Sequence, residues 1–307
     1  MKLLTIQTPK DKGQQVAEMA FELGITTVGI SATSLHQKNV PSREADVVEI
    51  QTNTPKTKEL VEKLMTAPFY DPAKYNFTVR HPESIYAAEK PKEETRPIIR
   101  ATGDVYQELW QFCQVTVSLM GRVLLSAFLV AYGMREDFMP IIIAGLLFLP
   151  YHHHMLGVGL GAVLGESKLL KQALVGFLAT TFMIVLGGIL LGLLTEPGIK
   201  WDAFTESSVP FSFLISMVVG IAAGLGSIDD AGRRELIGLA ATAHISVYPI
   251  WFGLKFVYGF DPTDKPWHLL LVYLMDVGTL IFFAGLTFKF MKMKGAGIKN
   301  FLNGLKE

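Results

Sequence analysis

The chain has 307 residues, half of them hydrophobic, with 28 Lys and Arg balanced by 28 Asp and Glu, and a single cysteine, Cys113. Zero net charge speaks against a nucleic-acid partner, and one cysteine excludes a disulfide framework or a cysteine-based zinc site. Gln172–Thr195 runs 24 residues without a charge. At about 1.5 Å per residue it outspans a bilayer core of about 30 Å, so a soluble enzyme or a disordered chain is excluded in favour of a polytopic membrane protein.

In chain order, Lys2–Pro9 alternates like a strand, and Asp11–Leu23 places Val16, Met19, Ala20 and Leu23 at helical spacing before Gly24. No signal peptide is expected in this mixed, charged N-terminal stretch. Thr26–Ser31 and Ala45–Thr52 are rich in β-formers. Thr57–Met65 predicts a second amphipathic helix capped by Thr54 or Thr57, and Tyr75–Val79 a last strand. The order β-α-β-β-α-β predicts a ferredoxin-like α+β head over residues 1–88. His36 and His81 are solitary in it and carry no site. Residues 89–104, at the end of a Pro-rich, charge-alternating stretch, predict a linker to a membrane domain over 105–292, and 293–307 a basic tail.

Hydropathy predicts six spans, near 108–133, 138–164, 168–196, 208–227, 233–259 and 267–290. One set of connections carries Lys90, Lys92, Arg96, Arg100, Lys168, Lys171, Arg233, Arg234, Lys289, Lys292, Lys294, Lys299 and Lys306. The other carries Arg135, Lys200 and Lys265. Thirteen against three places both termini in the cytoplasm of a cell whose inner (plasma) membrane holds the chain. Gly145-Leu146 and Gly238-Leu239 recur early in the middle helix of each group of three. An odd number of spans per group predicts a 3+3 inverted repeat, with a site near the midplane where broken middle helices meet.

Polar groups inside hydrocarbon need a reason. The first middle helix carries Pro150, Tyr151, His152, His153 and His154, and the second carries Thr242, His244, Ser246, Tyr248 and Pro249, so four of the seven histidines fall at similar depth. Each proline removes a donor and predicts a kinked or unwound segment. His152, His153, His154 and His244 are the candidate metal ligands, with Tyr151, Ser246 and Tyr248 as further binding groups and Met155 as a soft addition. Three consecutive helical residues fan over about 200°, so either the helix breaks at Pro150 or one histidine packs elsewhere. Imidazole suits copper, zinc or iron and also titrates near neutral pH; hydrogen bonding to kinked backbone is the structural alternative. Arg122 is expected to pair with Asp276, to hold an anion, or to snorkel towards the cytoplasm. Asp229 to Glu235 predicts the cap and first turn of the fifth span, and Gly157, Gly159, Gly161 and Gly165 predict close helix packing.

At these residues the chain resembles the DUF389 membrane family, which joins a small α/β head to a hydrophobic domain. Ile142 to Gly157 (IIAGLLFLPYHHHMLG) matches the family's stretch of the form I-I-G-A-M-L-I-S-P-L-M-G-P-I-L-G, continuing into Gly159, Gly161 and the loop Gly165 to Leu170. Arg234 to Ala243 (RELIGLAATA) resembles its second hydrophobic stretch, and the likeness covers roughly residues 105–260. The family has no settled activity, so the resemblance implies architecture. Histidines replace M-G-P at 152–154, and HISVYP replaces the family's A-L-V-P-P-L at 244–249. Together these readings predict a transporter- or channel-like protein whose midplane histidines bind a transition-metal ion or couple proton movement to a small solute, gated by the head. Two alternatives are a membrane metal- or haem-dependent redox enzyme and a non-catalytic accessory subunit. A homo-oligomer, or a place in a larger membrane complex, is expected with any of them.

Overall fold

A computed structural model describes residues 2–37, 40–80, 99–197, 208–229 and 234–293. His81, Lys200, the predicted linker up to residue 98 and the tail beyond residue 293 lie outside the described residues. The chain divides into two compact units that part between Val105 and Tyr106, Ile228 and Asp229 belonging with the first.

The first unit contains β1 (Lys2–Pro9), α1 (Gly13–Glu22), β2 (Val28–Gln37), β3 (Val40–Thr52), α2 (Thr54–Thr66) and β4 (Asn76–Arg80). The four strands form one sheet in the order β2-β3-β1-β4, every neighbouring pair antiparallel. Alternation along β1 buries Leu4 and Ile6, which join Val48 and Ile50 of β3, Val16 and Ala20 of α1, and Leu60 and Leu64 of α2 in a single core. β2 and β3 extend well past their predicted ends, pairing as far as Gln37 with Val40. The cap of α2 is Asn53, neither Thr54 nor Thr57: its side chain accepts from Lys56 N at 3.0 Å. The Thr57 hydroxyl instead donates back to Asn53 O at 2.9 Å. Asparagine wins because it sits one residue outside the turn with extended backbone, where its oxygen reaches the orphan amides. Gly24, with φ 71°, ends the segment after α1.

Among the described residues eight helices follow: α3 (Thr102–Phe112), α4 (Val117–Arg135), α5 (Met139–Leu147), α6 (Tyr151–Leu164), α7 (Ser167–Leu194), α8 (Val209–Ile228), α9 (Arg234–Tyr258) and α10 (Pro266–Phe290). The first predicted span, 108–133, is two helices. Thr116 is extended and accepts from Leu119 N at 3.1 Å, so α4 starts afresh after the break. The second, 138–164, breaks at Pro150 into α5 and α6, bent by 47°. Proline cannot donate to the preceding turn and serves here as the N-cap of α6. At Pro249 the backbone is not unwound: α9 is one continuous helix with Pro249 inside it.

Among the described residues, α4, α7, α8 and α10 are each long and apolar enough to cross a membrane, and α5 with α6 makes a fifth if the bent pair is one span. This is compatible with a multi-pass membrane protein. α9, the sixth predicted span, has 25 residues and carries Arg234, Glu235 and Lys255 along with His244 and Ser246. It packs tightly on α7: a β-carbon on Gly188 would meet Ile250 O at 2.7 Å and the Cα of Gly253 at 3.1 Å, so the two backbones touch. The core of the helical unit runs through Val123, Ala127, Leu149, Ile184, Ile245, Trp251 and Leu280.

Candidate functional site

Helical geometry sets what α9 presents to its neighbours. Gly238, Thr242 and Ser246 recur every four residues and share one face, while His244 and Tyr248 lie about 200° and about 240° round from Thr242 on another. Two polar clusters follow from this split.

The first cluster is built on the opening turn of α6. His152 is buried, and its ring lies directly over Gly238, with Nδ1 2.7 Å from where a β-carbon would stand. Its Nδ1 also approaches Thr242 Oγ1 at 3.4 Å, while the same hydroxyl faces Leu149 O at 3.4 Å. His153 stacks on Phe112, with centroids 4.1 Å apart, and meets the His152 ring at a tilt, with centroids 3.9 Å apart. His154 turns the other way. It is fully buried against Gly176 of α7, whose β-carbon would lie 2.8 Å from Nε2. Neither of its ring nitrogens has a hydrogen-bond partner among the described residues, and the same holds for Thr180 Oγ1 one turn further along α7. Both alternatives at this segment hold at once: the helix is interrupted at Pro150, and one histidine, His154, packs elsewhere.

Tyr151 starts a hydroxyl chain beside this cluster. Its OH bonds to Thr181 Oγ1 at 2.6 Å and to the hydroxyl of Tyr273 on α10. Its ring stacks on Phe177 with centroids 5.2 Å apart. Tyr273 in turn neighbours Tyr248, ring to ring at 6.2 Å.

The second cluster centres on Asp276, fully buried in the middle of α10. Ser212 of α8 donates to Oδ2 at 2.7 Å, and Ser216, one turn on, donates to Oδ1 at 3.0 Å. Ser216 Oγ also meets His244 Nε2 at 2.9 Å. A serine has one proton, and Ser216 gives it to the carboxylate, so His244 Nε2 must be the donor in that second bond. The result is a relay, Nε2–H to Oγ–H to carboxylate, with His244 Nε2 also 3.5 Å from Asp276 Oδ2. By the same logic Tyr248 OH donates to Ser212 Oγ at 3.4 Å. A buried carboxylate is tolerable only when its lone pairs are met this way.

The candidate residues therefore separate. His152 and His153 touch each other, His154 faces α7, and His244 and Tyr248 belong to the Asp276 cluster. Ser246 is buried on the Gly238 face of α9, its hydroxyl without a partner among the described residues. Met155 is packed in the apolar core. Among the described residues no group of three or more His, Cys, Asp and Glu side chains is placed to hold a metal ion. Asp276 pairs with His244 and the two serines rather than with Arg122, which is exposed on α4.

Sequence reasoning passed over Ser212, Ser216 and Tyr273. The first two were readable as hydroxyls one turn apart in an otherwise apolar helix, facing the lone acid of another. It also passed over Lys255, which is buried on α9 and held by Asp264 at 2.8 Å and Asp261 at 2.9 Å, with its ammonium 5.5 Å above the Trp251 ring.

The chain thus comprises a four-stranded antiparallel α+β unit and a helical unit whose apolar helices are compatible with a membrane and which holds a buried acid, hydroxyl and imidazole network. Comparison with protein-family models, curated proteins and solved structures gives no match.

Proposed function

We propose that the chain is a multi-pass membrane transporter that couples proton movement to a small solute, with His244 and Asp276 as the proton-exchanging pair. The observation that carries this is Asp276 itself, a carboxylate wholly removed from solvent yet bonded by Ser212, Ser216 and His244 from two other helices. Ionisable groups at such depth are functional by default, because hydrocarbon makes them too costly to keep otherwise. A His–Asp pair joined through a serine hydroxyl can take up and release one proton, its net charge passing between −1 and zero. The metal-binding arm draws no support from the geometry, since a transition-metal site asks for more converging ligands than His152 and His153 supply.

The same proposal takes α9 as the sixth span, long enough at 25 residues, with both termini cytoplasmic by the charge of the connections. Two oppositely oriented triplets, α4 to α7 and α8 to α10, and membership of the DUF389 family belong to it as well. The strand order β2-β3-β1-β4 supports a ferredoxin-like head.

The test is proton flux in proteoliposomes loaded with a pH-sensitive dye, in a buffer containing sodium, potassium, magnesium and chloride. An imposed pH step should collapse faster with the wild-type chain than with Asp276→Asn or in protein-free vesicles. Equal rates in all three would end the proposal.

A further inference from the structure

We infer that two copies of the chain join through the outer edge of β2, the two strands pairing antiparallel about a two-fold axis at Ser31. Among the described residues the sheet order β2-β3-β1-β4 leaves β2 and β4 as its edges. An edge strand offers a row of backbone donors and acceptors to any other strand, and chains that stay single blunt it by shortness, charge, proline or a bulge. β4 is blunted: it has five residues and closes on the exposed Arg80. β2 is not. Its ten residues, Val28–Gln37, hold no Asp, Glu, Lys, Arg or Pro. Its register on β3 is regular from Val28 to Leu35, with an irregularity only between Leu35 and Gln37. Gly29, Ile30, Ser31, Ala32 and Ser34 are exposed along it.

Charge, sidedness and area make the occupant a second copy. A strand without charged side chains opposes no like charges when it meets itself. Ile30 pairs with Val48, whose side chain lies in the core under the helices, so Val28, Ile30, Ala32 and Ser34 face the helix-bearing side. Among the described residues, Phe21 and Ile30 are the large apolar side chains that the first unit leaves exposed, at 48% and 44%. Both lie at this edge. A β-carbon on Gly13 of α1 would stand 3.0 Å from Ile30 Cγ2, and Gly13, Ala17 and Phe21 step by four along one ridge of that helix. An axis at Ser31 sets Ile30 opposite the partner's Ala32 and Val28 opposite the partner's Ser34, so the apolar side of one copy meets that of the other.

A seam of eight paired residues is about 26 Å long and, through the sheet and helix layers, about 20 Å deep, so the two copies bury about 1,000 Å² together, the threshold of a stable interface. Closure follows from the same edges. Each copy occupies the β2 edge of the other, and the blunt β4 edge stops growth at one eight-stranded sheet.

On the axis the two Ser31 Cα atoms stand about 4.5–5.5 Å apart, inside the range a disulfide spans. Copper-phenanthroline oxidation of the full-length Ser31→Cys variant, in detergent and in proteoliposomes, should therefore give a covalent dimer as the main product on a non-reducing gel. Wild type, whose Cys113 is buried, and Thr78→Cys on the β4 edge should give little. Ile30→Lys places like charges on both sides of the seam and should raise the dimer dissociation constant, read by mass photometry, about tenfold or more. It should also speed hydrogen exchange of the β2 amides several-fold while the Leu4 and Ile6 amides stay protected; Ala32→Lys repeats the test should Ile30→Lys disturb the core. A monomer in both media would overturn the inference, and slow β2 exchange in that monomer would show another segment of the chain on the edge. Cross-linking as fast at residue 78 as at residue 31, or a dimer indifferent to Ile30→Lys and Ala32→Lys, would place the interface elsewhere. A ladder of larger species would refute the closed pair.

Discussion

The imidazole of His152 fills the space in which a β-carbon at residue 238 would sit. Gly238 is thus the floor of the first polar cluster, and α6 and α9 close on each other only because α9 has no side chain there. Gly238→Ala should force the ring off its rotamer and lower stability by about 1–3 kcal/mol. Adding His152→Ala should recover part of that loss, a non-additivity expected of residues in direct contact. Thermal unfolding of the two single variants and the double variant in detergent gives the answer. Simple additivity would mean that the ring lies elsewhere.

His154 and His244 should respond in opposite ways to an apolar replacement. His154 is buried with no hydrogen-bond partner among the described residues, so His154→Leu should be neutral or stabilising by up to about 2 kcal/mol. His244→Leu strips Ser216 and Asp276 of a partner and should cost about 2–4 kcal/mol. Melting temperatures measured side by side decide this. A large loss for His154→Leu would show that its ring holds a water or an ion.

Lys255 offers a graded comparison. Its ammonium is enclosed, and of its two acidic partners the Asp264 side chain is 12% exposed and that of Asp261 is 69% exposed. Asp264→Asn should therefore cost about 1–3 kcal/mol, as a desolvated pair. Asp261→Asn should cost less than about 1 kcal/mol, because solvent screens that contact. The reverse order in a denaturation series would contradict the geometry.

In the head, Tyr70 has a buried hydroxyl without a partner among the described residues and a ring 5.6 Å from that of Tyr75. Burial, reinforced by the charge of Asp71, pushes its phenol up to about 12. The neutral form is favoured in the folded state. Its contribution is therefore complete below the ordinary tyrosine value near 10 and is lost as pH rises through about 12. Tyr70→Phe at pH 7 should be neutral or stabilising by up to about 1 kcal/mol, and should flatten the decline between pH 10 and 12. Hydrogen exchange at the Leu4 and Ile6 amides of the full chain reports both effects.

Local pattern carried the reading where local physics decides structure. Alternation in Lys2–Pro9 marked the central strand, and Pro150 marked the break between α5 and α6. The reading failed where partners come from distant helices. Asp276 looked like a match for Arg122 on charge alone, because no periodicity reveals that Ser212, Ser216 and His244 surround it. Pro249 and Pro150 looked equivalent, yet the first is absorbed inside α9 while the second starts a new helix. The run of three histidines drew attention as a unit, although the helical twist sends its members to different neighbours. Asn53 was overlooked for the opposite reason, since two threonines nearby offered the same cap chemistry.

α9 forms the common wall of both polar clusters. One side holds Thr242 against His152, and the other holds His244 against Ser216. Because the helix is uninterrupted, a turn about its long axis that slackens one set of contacts tightens or slackens the other at the same moment. Occupancy on either side is then thermodynamically linked to the state of the opposite side, with equal coupling free energy in both directions.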